Sequence, residues 1–169
     1  NPLANPNVIG ITAGSSAAAV FCIIVLQASN TMISIASVVG GLTIALVIYF
    51  LSKGSSFSIG RLILIGIGIQ AMLTAVINYL MLIGKTHDIP TAIRWVSGSL
   101  NGAKMENLYP LILAVCIFLP IIIFFGKRLE MLELGEQAAT SLGVDPNKTR
   151  LILIVSSVLI IALATATTG

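Results

Sequence analysis

An all-α, polytopic membrane helix bundle is the fold class this sequence predicts, and three observations predict it. Of the 169 residues, 57% are hydrophobic and 9% charged, with a mean hydropathy of +1.06. A water-soluble domain carries nearer ~25% charged residues to cover its surface, so much of this surface faces lipid. The apolar residues gather into five stretches, each near the ~20 helical residues needed to cross a ~30 Å hydrocarbon core. None of them alternates with a period of two, and a lipid-exposed chain satisfies its backbone only as a helix or a closed barrel.

The first stretch, Val8 to Leu26, carries Gly10, Gly14 and Ala18 four residues apart, a small-residue stripe for close helix packing. The connection Gln27 to Thr31 is short, so the second stretch, Ile33 to Leu51, returns antiparallel to the first. The third runs from Leu62 to Ile83 and the fourth from Leu108 to Phe125. Pro120 removes one backbone donor from the fourth and crowds the carbonyl of Cys116, which predicts a kink. The fifth, Leu151 to Gly169, ends within an apolar run. Together with the absence of an initiator Met, this leads us to expect an excerpt of a longer chain, with residues 1–169 forming part of one membrane domain.

Orientation follows from the positive charges in the connections, because Lys and Arg are retained on the cytoplasmic side. Lys53, Arg61, Lys127, Arg128, Lys148 and Arg150 lie in the second and fourth connections, against Lys85, Arg94 and Lys104 in the third. The second and fourth connections are therefore expected inside, with the residue 1 end cytoplasmic. The net charge of +3 is scattered in ones and twos, so no basic patch for nucleic acid forms.

No Asp, Glu, Lys, Arg or His occurs within the five stretches, whereas ion-coupled transporters place ionisable relays there. The neutral polar residues Ser15, Ser16, Gln70, Thr74, Asn78, Ser156, Ser157 and Thr165 either line a path or join helices, and we expect them to join helices. Cys22 and Cys116 read as small hydrophobes. One histidine, His87, cannot build a metal cluster, and no nucleophile has a base beside it, so neither a metal site nor an enzyme is expected. Gly84-Lys85-Thr86 imitates the end of a nucleotide-binding P-loop, but the first glycine of that motif would have to stand where Tyr79 does. Uphill transport would draw its energy from residues outside this chain, most simply an attached ATPase.

Two connections carry polar chemistry. In residues 84–107 a short helix is predicted with Asp88 as N-cap and Pro90 in its first turn. Ile93, Val96 and Leu100 fall on one side with Trp95 beside them, as in a segment lying at the membrane interface. Arg94 and Lys104 are candidates for contact with a delivery protein, the other reading being solvated loop charge. The connection 126–150 is denser. It predicts a short helix stopped by Gly143, followed by Asp145 and Pro146 as cap and first turn of the next span. Leu132, Leu134, Ala138, Ala139 and Leu142 are more apolar than a solvated linker needs, which predicts a docking element.

The opening Asn1-Pro2-Leu3-Ala4-Asn5-Pro6, with Ile9-Gly10-Ile11 and Ala13-Gly14, resembles the signature before the third helix of the iron-siderophore and cobalamin ABC-importer permeases, the FecCD-type transmembrane subunits. Trp95 with Gly98-Ser99-Leu100, and Leu134-Gly135-Glu136 with Ala138-Ala139 and Leu142-Gly143, resemble two further motifs of that family in the right order. The resemblance implies a ten-helix subunit in a bacterial plasma membrane, of which this chain holds helices three through most of seven. It implies a second permease subunit, identical or different, two ABC ATPase subunits and an extracytoplasmic substrate-binding protein as partners. Leu134, Gly135, Glu136, Ala138, Ala139, Leu142 and Gly143 would contact the ATPase, and no cofactor is expected in this chain. Iron(III)-siderophore import is the function implied, with haem and cobalamin permeases sharing the motifs. The alternative is an ion-coupled secondary transporter or channel subunit.

Overall fold

The computed structural model describes residues 10–52, 59–99, 105–133 and 135–168. All its regular elements are helices. α1 (Ile11–Phe21) winds on as a π-helical turn over Cys22–Leu26, and α2 (Asn30–Ser52) follows. α3 (Ile59–Ile83), the short α4 (Ile89–Ser97), α5 (Met105–Glu133), the six-residue α6 (Glu136–Ser141) and α7 (Pro146–Thr168) complete the order. Among the described residues, four helices are long and apolar enough to cross a membrane: Asn30–Ser52, Gly60–Ile83, Leu108–Leu132 and Pro146–Thr168. Ile11–Leu26 is apolar but shorter; residues 8 and 9 of the expected first span lie outside the described residues.

Small residues decide how the bundle packs. On α2 the buried positions Ile33, Ser37, Gly41 and Ala45 recur every four residues, one stripe of a helix surface. A Cβ on Gly40 would stand 2.5 Å from the Ala18 Cβ and 2.7 Å from the Gly14 carbonyl oxygen, and one on Gly14 would meet Ile44 at 2.7 Å. The backbones of α1 and α2 thus approach through glycine, as small-residue interfaces in membranes do. One position along, Gly41 leaves room for the Ser15 hydroxyl and for Ala162 of α7. Ile11, Ala45 and Val158 form the apolar core where α1, α2 and α7 meet. α3 packs on α1 and α2, and α5 runs beside α7.

Gly10, at φ +77°, sets the start of α1. A Cβ there would lie 3.0 Å from the carbonyl oxygen of Gly66 and 3.6 Å from the Gln70 side chain. α1 therefore begins opposite Gly66, about two turns into α3.

The ends of the bundle are tied separately. At one end the buried Tyr49 hydroxyl donates to the Asn147 carbonyl at 3.5 Å, joining α2 to the start of α7. At the other, Gln27 Nε2 donates to Asp88 Oδ2 at 3.4 Å, and the Ser99 amide donates to the Thr168 carbonyl. The α2–α3 and α5–α7 connections leave from the first end and the α1–α2 and α3–α5 connections from the second.

α5 departs from the sequence reading. The apolar stretch ends at Phe125, yet the helix continues to Glu133, because Lys127-Arg128-Leu129-Glu130-Met131-Leu132 are strong helix formers. Neither Pro110 nor Pro120 interrupts it. The Arg128 guanidinium lies 4.7 Å from the centre of the Phe125 ring and 5.6 Å from that of Phe124, a cation at the rim of an apolar span with its charge turned to aromatic faces. The connection expected over 126–150 thereby narrows to residues 134–145.

Candidate coupling element and membrane cleft

The α5–α7 elbow is closed by backbone chemistry. Gly135 (φ +108°) lets the chain leave α5, and its carbonyl accepts from the Ala139 amide at 3.0 Å to start α6. At the far side Gly143 sits at φ +80°. Its amide donates to the Thr140 carbonyl at 2.9 Å, and the Val144 amide to the Ala139 carbonyl at 2.9 Å. That pair is the Schellman closure, in which a left-handed residue turns two amides back onto the last carbonyls of the helix. Its apolar contact is present too, since Ala139 and Val144 pack with Leu132 in a small buried cluster. Asp145 Oδ1 then accepts from the Asn147 and Lys148 amides at 3.0 and 3.2 Å, capping α7 with Pro146 as its first residue.

This closure divides the apolar residues of the elbow. Ala139 is fully buried and Leu132 nearly so, inside the elbow's own cluster, while Ala138 is exposed and Leu142 is 62% exposed. A docking element was expected from these residues, and Leu132 and Ala139 pack instead within the elbow itself. Leu134 lies outside the described residues. Glu136 opens α6.

On the opposite end α4 is held against the bundle by Ala92, buried against Ala19, Val20 and Ile23 with Trp95 alongside. Ile93 and Val96, expected on one side, both border a cleft, while Trp95, expected beside them, packs toward the core with Ala92. Leu100 lies outside the described residues. Asp88 stands at the N-cap position but makes no capping bond. Its carboxylate is engaged by Gln27 and by His87 Nε2 at 3.3 Å instead. Arg94 is exposed on α4, and Lys104 lies outside the described residues.

The cleft, of about 490 Å³, opens between α1 and α3 with α4 at one end. Thr12 and Ser16 come from α1, Gln70, Thr74 and Asn78 from α3, and Ser97 from α4. Residues 70, 74 and 78 share one helix face through their four-residue spacing, and the Thr74 hydroxyl is turned to its own Gln70 carbonyl at 2.8 Å. The polar residues of the spans thus separate by place. Gln70, Thr74, Asn78 and Ser16 line the cleft. Ser15 and Ser156 are buried between helices, and Thr165 bonds to Ile161 within α7. The four-residue repeat was visible in the sequence; its pairing with Thr12 and Ser16 was not, because it depends on where α1 meets α3.

The whole chain, residues 1–169, matches the FecCD transport family. It is 33% identical to the ferric enterobactin transport system permease protein FepG of Escherichia coli K12, over all of this chain and 51% of that protein. It is 32% identical to the iron(3+)-hydroxamate import system permease protein FhuG of Bacillus subtilis, over all of this chain and 53% of that one, and 28% identical to the vitamin B12 import permease BtuC of Vibrio vulnificus, covering 51% of it. A solved metal-chelate type ABC transporter in an inward-facing conformation superposes with a TM-score of 0.90 at 27% identity, over all of this chain and 54% of its own. The chain therefore spans about half the length of the relatives it matches. With membrane-length helices in the family's arrangement and a match along its full length, this chain belongs to the FecCD transport family.

Proposed function

We propose that the protein is the membrane-spanning, non-catalytic permease subunit of a bacterial ATP-driven importer of iron(III)-siderophore complexes. The observation that carries the reading is the α5–α7 elbow. Its closed backbone joins two membrane-length helices and leaves Leu142 projecting, so a push on α6 reaches both helices rather than being lost in a flexible loop. Arg61, Lys127, Arg128, Lys148 and Arg150 belong to the same end of the bundle, which supports a cytoplasmic elbow and a cytoplasmic residue 1 end. An ATPase dimer would dock there, a second permease subunit would complete the path, and a substrate-binding protein would approach the end carrying α4 and Arg94. Enterobactin, hydroxamate, citrate and vitamin B12 all appear in the names of relatives, and iron chelates predominate among those names.

The test is uptake of iron chelate by the complete transporter. Uptake is expected to follow cellular ATP and to persist when the proton gradient is collapsed at constant ATP. Loss of uptake on collapsing the gradient alone would replace this reading with an ion-coupled carrier.

A further inference from the structure

α5 carries a stripe of large apolar residues that ends in two cations. Leu113, Ile117 and Phe124 are exposed, and at about 100° per residue they fall on one narrow face of the helix. Lys127 and Arg128, both exposed, flank that face on either side where the apolar run stops. Ala114 and Leu132 lie on a different face and are buried, the side on which α5 meets α7 and the elbow.

Helix side chains lean toward the helix N-terminus, which for Arg128 is the direction of the apolar span. Its guanidinium follows that lean. It stays 4.7 Å from the Phe125 ring centre and 5.6 Å from that of Phe124, one turn back, instead of reaching out to water. A guanidinium held through its face on aromatic rings keeps the N–H donors of its edge for an oxyanion, which it grips bidentately. Glu130 stands one turn beyond Lys127, on the aqueous side.

The depth of this pair is set by α7. Pro110 shares a groove with Leu163, Ala166 and Thr167, and α5 and α7 run antiparallel. About 18 residues along, Arg128 stands level with Lys148, roughly 27 Å from that groove, close to the ~30 Å of a hydrocarbon core. Lys148 is paired with Asp145 at 3.7 Å. Lys127 and Arg128 therefore meet the membrane at headgroup depth, with the apolar stripe running inward from them.

We infer that Lys127 and Arg128 hold the phosphate of an anionic phospholipid of the inner leaflet, whose acyl chains lie along Phe124, Ile117 and Leu113. The leaflet follows from the cytoplasmic elbow of the importer reading above, and it is the leaflet that carries anionic lipid. Charge complementarity selects the headgroup, and the stripe selects the rest of the molecule. An ATPase arriving from water could reach the two cations, but Ile117 and Leu113 lie about 16 and 22 Å deeper along the helix. An anion with hydrocarbon attached matches both parts at once.

The experiment titrates the full-length permease in mild detergent with phosphatidylglycerol or, as zwitterionic control of the same chains, phosphatidylcholine, and counts bound lipid by native mass spectrometry. Phosphatidylglycerol is expected to bind about tenfold or more tightly than phosphatidylcholine. Lys127→Gln combined with Arg128→Gln is expected to weaken phosphatidylglycerol about tenfold and to leave phosphatidylcholine within about twofold, whereas Lys85→Gln at the opposite end keeps wild-type affinity. A phosphatidylglycerol with a photoreactive acyl chain is expected to label wild-type α5 between Leu113 and Phe124. Equal affinity for the two lipids overturns the inference, as does unchanged phosphatidylglycerol affinity in the double variant. Labelling confined to other helices also overturns it, and would give this face of α5 to the rest of the permease or to a second copy. The labelling uses wild-type protein, so it decides the matter even where the double variant loses its fold. Neither readout involves ATP or cargo, so failure here leaves the importer reading to its own uptake test.

Discussion

Gly40 and Gly68 occupy adjacent membrane helices in opposite surroundings. A Cβ on Gly40 would press on the Gly14 backbone and the Ala18 Cβ, whereas one on Gly68 would meet nothing within 4 Å. Backbone cannot step aside as a side chain can, so Gly40→Ala is expected to cost ~1–3 kcal/mol and Gly68→Ala to stay within about 0.5 kcal/mol. Thermal unfolding of the full-length permease in detergent checks this. The first variant should melt at least ~3 °C lower, the second near wild type, and equal midpoints would mean that α1 and α2 do not touch through glycine. The stripe of Gly10, Gly14 and Ala18 was legible from spacing alone. Its partner was not, although Gly40-Gly41 within an apolar run was a signal of the same kind. Which glycine of that pair meets α1 and which makes room for Ser15 and α7 depends on helix rotation.

The elbow is the element on which function can be read most directly. Gly143 occupies a left-handed conformation that a β-branched residue resists. Gly143→Val is expected to loosen the closure, so that stimulated ATP hydrolysis continues while uptake falls several-fold. Leu142→Asp leaves the elbow's own cluster untouched, since Leu142 is exposed outside it. It is expected to weaken docking of the ATPase by ~2 kcal/mol or more, the usual cost of losing an interface anchor. Reconstituted complexes, assayed for assembly, ATPase stimulation and uptake, separate the two. Wild-type coupling in both variants would reduce the elbow to a linker. The stop at Gly143 and the cap at Asp145-Pro146 were readable because they are local chemistry. The inward assignment of Leu132 and Ala139 was not, because it arises only when α5 extends past its apolar stretch and folds back onto Val144.

For the whole molecule the prediction concerns sidedness. Single cysteines at Ser55 and Thr140 are expected to resist an impermeant thiol reagent in intact cells, and one at Asn101 to react, all in a background lacking Cys22 and Cys116. The argument is that basic residues crowd the end of the bundle from which the α2–α3 and α5–α7 connections leave, while α4 closes the other. The reverse labelling pattern would invert the orientation, and with it the assignment of the elbow to the ATPase side.

The sequence by itself determined that this is a helical membrane protein, how many apolar stretches it holds, where the stop at Gly143 and the cap at Asp145 fall and which family it resembles. Each of these depends on hydrophobicity, charge or φ preference within a few residues of the position concerned. Only the tertiary structure decided that α5 runs beyond its apolar stretch, that Ala139 turns inward while Leu142 projects, and that Gln70, Thr74 and Asn78 line a cleft with Thr12 and Ser16. Those outcomes depend on how far α1 begins along α3 and how each helix is rotated about its axis. Hydropathy carries little of that information in lipid, because a helix that is apolar all round does not reveal from its pattern which face meets protein.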